Sequence, residues 1–173
     1  MGRLSVKENK NVYHLIREEL GLSRAQASEL LEGITPERIE RIENEKSLPQ
    51  PDEVKIMAEK YNEPDLRNYY CANQCPLGID FVPEIKVKDL AHIVLEMLSL
   101  LNSMDKKKER LIEIVADGEI TEDEIKDFVF IEKELERISM TVDTLKLWVE
   151  KMRANGSINK ELYDSFKNEE KYI

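Results

Sequence analysis

The sequence predicts an all-α protein, with five short helices in the first 70 residues and then a long antiparallel helical hairpin. Three observations lead there. Apolar residues recur at steps of three and four along both halves of the chain. Only six glycines and six prolines occur in 173 residues, and they fall where those periods stop. Hydrophobic residues make up 41% of the chain, enough to furnish one large core or two small ones. The expected organisation is a helical domain over residues 1–68, a Cys-containing connector over 69–86, and the hairpin over 87–173.

The first helix is expected from Asn11 to Leu20, with Val12, Leu15, Ile16 and Leu20 as its apolar stripe. Gly21 stops it, and Ser23 is placed to cap a second helix reaching about Leu31. Gly33 ends that helix. Thr35 then caps a third, with Pro36 at the first helical position, where a missing N–H costs nothing. Ile39 and Ile42 lie three apart and face the core. SLPQP breaks the chain before a fourth helix over Asp52–Tyr61, whose inward residues are Val54, Met57, Ala58 and Tyr61. A brief fifth helix begins near Pro64. Pro76, Gly78 and Pro83 then punctuate YYCANQCPLGIDFVPEIK, which has no sustained period and reads as an ordered connector.

Beyond it, Leu90, Val94, Met97, Leu101, Met104, Leu111 and Val115 follow alternating steps of four and three, with a gap at Lys108. Uninterrupted, residues 87–117 would make one helix of ~45 Å. A second series comprises Phe128, Ile131, Leu135, Ile138, Val142, Leu145, Val149 and Met152. ADGEITEDE separates the two, with Gly118 as a stop and Thr121 and Glu124 as a capping box. Long helices joined by a tight turn run antiparallel. Further apolar positions, among them Ile93, Leu98, Leu100, Ile112 and Trp148, call for additional packing partners. NKELYDSFKNEEKYI supplies a short closing helix.

Composition excludes several functions. The formal net charge is −10, split as 11 Lys+Arg against 14 Asp+Glu in residues 1–67 and 15 against 22 in the rest. Acidic balance opposes non-specific attraction to nucleic acid. No stretch approaches 18 consecutive apolar residues, and MGRLSVKENKNVYHL lacks the apolar run of a secretion signal, so a cytoplasmic location is expected. Cys71 and Cys75 do not make a disulfide framework. They resemble half a zinc site, but only His14 and His92 could complete it and neither has the spacing, so no metal is expected and the thiols are assigned to packing. Glu113 to Glu124 imitates the end of a calcium loop, yet Val115 occupies a ligand position and cannot coordinate. No cofactor is implied. No nucleophile–base set, phosphate loop or carboxylate pair assembles, and enzyme activity is not expected. Lys106, Lys107 and Lys108 form the one basic run, read as a solvated break in the heptad.

Two helices joined through LEGIT, with small Ala27 in the first and Ile39 in the second, suit helix-turn-helix packing. The stretch IREELGLSRAQASELLEGITPERIERIENEKSLPQPDEVKIMAEKY resembles the Cro/lambda-repressor-like (XRE) helix-turn-helix family. The resemblance rests on Arg17, Leu20-Gly21-Leu22-Ser23, Ala27, Ile39, Glu43 and Pro49, and covers about a third of the chain. It implies a structural salt bridge between Arg17 and Glu43, which turns that carboxylate inward. Two departures stand out. Gly33 falls one residue late after Ala27, implying an insertion in the second helix or its turn. Glu45 replaces the family's glycine after the third helix, at a position requiring a left-handed backbone.

The resemblance also implies double-stranded DNA as the partner, with residues 35–46 in the major groove. It places Pro36, Glu37, Arg38 and Arg41 at base-reading positions, and Arg24, Thr35, Arg38 and Lys46 against phosphates. Glu37 suits cytosine N4, and Arg41 suits guanine through two hydrogen bonds. Set against this, the same charges also fit a solvated face with local pairs such as Glu37–Arg41. The expected function is a DNA-binding transcriptional regulator acting as a homodimer through residues 87–155. The alternative is a protein-interaction module that keeps the fold without binding DNA.

Overall fold

The structure, a computed structural model, describes residues 10–169. Every regular element among them is a helix: α1 Val12–Glu19, α2 Arg24–Leu31, α3 Pro36–Glu43, α4 Pro51–Lys60, α5 Asp65–Asn73, α6 Leu90–Asp105, α7 Lys108–Ile114, α8 Ile125–Ala154 and α9 Lys160–Glu169. The chain divides into two compact units. One runs to Glu84 and resumes at Lys151; the other is Ile85–Glu150. Lys151 belongs to the first unit through Asp65 and Glu63, with its ammonium 2.9 Å from the Asp65 carboxylate.

Local signals set the early helices. Asn11, Ser23 and Thr35 cap α1, α2 and α3, each accepting from a backbone N–H three residues on. Gln26 reciprocates to the Ser23 N–H, closing a capping box. The first core joins Tyr13, Ala27, Leu31, Ile34, Ile39, Ile42, Val54, Met57, Ala58, Tyr61, Leu66 and Tyr70. Helix α4 buries the residues its spacing predicts. Helix α1 does not: Leu15 and Leu20 are exposed, and Tyr13, His14 and Arg17 are buried instead. Polar partners on α3 turn the helix onto that face, and they override its apolar stripe. His14 is enclosed for the same reason.

Helix α5 runs nine residues to Asn73, longer than the brief turn expected, because Leu66 and Tyr70 both reach the core. Cys71 and Cys75 are free thiols packed against it. The connector then wraps on Gly78, whose position lies so near the Cys71 carbonyl that a Cβ there would stand 2.2 Å from its oxygen.

In the second unit, the single helix expected over 87–117 is broken. Helix α6 ends at Asp105 and α7 starts at Lys108, at the lysine run. Lys107 falls on the inner line and cannot be buried as a bare charge, so its ammonium lies over the Phe130 ring, 5.3 Å from the centroid. Arg110 binds Asp127 at 2.9 Å. From 110 to 107 on one side, the partners advance from 127 to 130. That order is antiparallel.

The buried line is Ile93, Leu100 and Ile114, with Met97, Met104 and Leu111 half-buried between them. On α8 it is Ile131, Glu134, Thr141, Thr144 and Leu147. Several residues of the predicted stripes, including Leu90, Val94, Leu101 and Leu135, are exposed. Each helix carries two apolar lines close together, and spacing alone cannot choose between them. Thr141 and Thr144 enter the interior by donating to the carbonyls of Arg137 and Met140.

Glu45 has φ +57. The Glu45 and Lys46 amides close the end of α3 on the Ile42 and Arg41 carbonyls, at 3.0 and 2.9 Å. This is a Schellman motif with glutamate where glycine is easiest. Glu45→Gly should therefore raise stability by roughly 0.5–1 kcal/mol, read as a rise in urea midpoint with an unchanged slope.

Candidate nucleic-acid interface

Helix α3 has an inward face and an outward face, and ion pairs decide which is which. Glu43, in its last turn, is 1% exposed. Its carboxylate accepts from Arg17 Nε and Nη2 and from Arg24 Nε, the last at 2.9 Å. Arg17 also donates to the Leu22 carbonyl at 2.6 Å, so one guanidinium joins α1, the α1–α2 turn and α3. The hydrogen bond to Glu43 holds the Arg17 pKa above its ordinary value despite burial. Burial and then the Glu43 charge push Tyr61 up to about 12. His14 completes the cluster: Nε2 lies 3.1 Å from Glu18, while buried Nδ1 has no hydrogen-bond partner and stands 4.0 Å from Glu43. Asn11 seals the helix end by donating from Nδ2 to the Ile42 carbonyl at 2.8 Å.

A second lock sits on the α4 side. Arg38 binds both Glu53 oxygens, at 2.7 and 2.6 Å, and also reaches the Ser47 hydroxyl at 2.6 Å and the Leu48 carbonyl at 2.9 Å. Every one of its side-chain nitrogens is engaged. Glu53 in turn accepts from the Gln50 N–H. Burial works against the Glu53 charge, but Arg38 and that amide outweigh it and hold the carboxyl below its usual 4.5.

What remains outward is the cap Thr35, then Glu37, Glu40 and Arg41 on α3, with Glu45 and Lys46 beyond its end; Pro36 is half-exposed. No ion pair joins Glu37 to Arg41 among the described residues. The competing local pairing of these two charges is therefore not made, and Arg41 stands on the face without an ion pair to any described residue. Arg24 is about one-third exposed at the start of α2, anchored through Nε, with no hydrogen bond from its two terminal nitrogens to described residues. Between α2 and α3, Glu32 has φ +46 and Gly33 φ +137. The surplus residue implied by the sequence is accommodated in this turn rather than in α2.

Residues 14–65 match the helix-turn-helix family. This is a helix-turn-helix domain of the Cro/C1 type. No curated protein and no solved structure matches the chain. The match supports a DNA-binding regulator in general terms. Among the described residues no helix is long and apolar enough to cross a membrane, and no group of His, Cys, Asp and Glu side chains could hold a metal ion.

Sequence reasoning found the Arg17–Glu43 pair of the helix-turn-helix domain. It missed Arg24 as the second partner of that carboxylate and assigned Arg38 to DNA, whereas Arg38 is bound within the domain. Arg38 and Glu53 are fifteen residues apart on different helices, a separation that leaves no local pattern to read.

Glu43→Gln should destabilise the helix-turn-helix domain by about 3–5 kcal/mol, because a buried guanidinium loses its counter-charge; amide hydrogen exchange of α1 to α3 reads this directly. The depressed Glu53 carboxyl contributes stability that is complete above its usual 4.5 and is lost as pH falls through the lower folded value. In Arg38→Met that portion of the acid dependence should vanish from the melting profile.

Proposed function

We propose that this protein is a sequence-specific transcriptional regulator that binds duplex DNA as a homodimer, with α3 of each copy in the major groove. The observation that carries the reading is the sorting of charge around α3. Glu43 and Arg38 are spent inside the domain, and the opposite face is left open with Arg41 unpaired. Arg41 binds guanine O6 and N7, and Glu37 accepts from a cytosine N4 amine. Lys46, Thr35 and the terminal nitrogens of Arg24 hold phosphates, while Pro36 shapes the start of the helix. Arg38 positions the α3–α4 loop and leaves the set of DNA contacts. Occupancy near a promoter acts sterically.

Three acids, Glu37, Glu40 and Glu45, outnumber the bases Arg41 and Lys46 on and beside this face. That imbalance favours a second reading, in which the domain binds protein and not DNA. It also explains why one copy is not enough. Two readers on one duplex gain about 10²–10⁴ through avidity, and consecutive major grooves place their third helices ~34 Å apart.

Selection from random duplexes followed by fluorescence anisotropy separates the two readings. Arg41→Ala should cost ~1–3 kcal/mol, concentrated at one base pair, and Lys46→Ala should weaken all sequences alike and flatten the salt slope by about one. Absence of any enriched site, together with no binding at ~50 mM salt, would leave the protein-interaction reading standing.

A further inference from the structure

Resting on the dimeric reading above, we propose that the partner is held by one flat face of the α6–α8 hairpin. A second copy docks the same face against it and closes a four-helix bundle. Helix α6 carries only Glu96 and Asp105 as charges and no Lys or Arg. Its inner line, Ile93 to Leu100, is buried within the hairpin. Leu90, Val94, Leu98 and Leu101 lie roughly a quarter turn round from that line at ~100° per residue. They are 40%, 42%, 52% and 49% exposed.

Helix α8 runs the opposite way, so its sense of rotation reverses when both helices are viewed from one end. A residue displaced forward from the seam on α8 therefore faces the same side as one displaced forward on α6. Leu135 is such a residue and is 48% exposed; Val142 follows it, half-buried. The other edge of α6 carries Glu96, Ser99 and Ser103, with Glu96 bound to Lys88 at 2.8 Å. The hairpin thus has one apolar face and one polar edge.

The occupant follows from area and charge. An arm made of α6 and α7 in succession, ~39 Å over Leu90–Val115, beside a second helix 8–10 Å away presents roughly 700 Å² on one side. That is close to the ~800 Å² which a standard stable interface takes from each partner. Apart from Asp105 and Lys108 at the α6–α7 break, the stripe is uncharged, so it matches a like stripe of equal length, and its own copy is one. Such a contact uses the same patch twice and closes on itself. It also pairs two readers, as the acidic α3 face requires.

Sedimentation equilibrium of the full chain tests this. Wild type should run as a dimer at tens of micromolar, and Val94→Glu/Leu101→Glu should weaken it at least about 30-fold with helix content retained. Leu95→Glu, at a position 68% exposed on the far side of α6, should leave the dimer intact. Mixing the acidic pair with Val94→Lys/Leu101→Lys should restore a mixed dimer. If the acidic pair unfolds, Leu98→Gln decides through the same loss of mass. A monomeric wild type overturns the dimeric reading itself. A dimer untouched by the face variants, or broken by Leu95→Glu instead, overturns only the face.

Discussion

The Glu43 carboxylate, shared between two arginines, is the interaction on which the rest of the reader domain depends. An ionised carboxylate taken out of water alone costs many kcal/mol. Here Arg17 and Arg24 meet both of its oxygens, and Tyr61 and His14 stand nearby. The arrangement tolerates little rotation of α3. A roll of one residue, about 100°, would carry Glu43 to solvent, leave Arg17 enclosed without a counter-charge and drive Arg41 into the core. The cluster adds directional constraint where hydrophobic contact alone would permit several orientations, because Ile39 and Ile42 occupy only a narrow strip of an eight-residue helix.

The same sorting explains how so acidic a segment is compatible with a polyanionic partner. Charges counted along residues 35–46 are not the charges met at the surface. Glu43 is neutralised within the domain, and Arg38 is consumed by Glu53, Ser47 and Leu48. The outward face keeps a slight acidic excess, which weakens long-range attraction and leaves discrimination to a few directional contacts. Under the proposed dimeric reading, a reader with little electrostatic affinity gains most from being paired, and α6 of the second unit retains more apolar surface than one seam covers.

The five-helix start and the caps Ser23 and Thr35 were legible in the sequence, and the family resemblance implied the Arg17–Glu43 pair; Asn11, read as the first helical residue, instead caps α1. The legible features rest on residues close in the chain or on a pattern that fixes their relation. The inward face of α4 was legible for the same reason. Three features were not: the rotation of α1 onto His14 and Arg17, the capture of Arg38 by Glu53, and the inner line of the hairpin. The first two depend on partners from other helices. The third fails because Leu90–Leu101 and Ile93–Leu100 have equivalent heptad spacing, and only cross-pairs such as Arg110–Asp127 and Lys107–Phe130 select one.

By itself the sequence determined the starts of α2 and α3, since capping and proline effects act within one turn. The family resemblance carried by its residues implied, further, that Glu43 turns inward. Tertiary structure alone decided which charges face solvent and which of two equal apolar stripes is spent within the chain. Those outcomes depend on desolvation and on partners distant in sequence, and neither has a period that a linear pattern can carry.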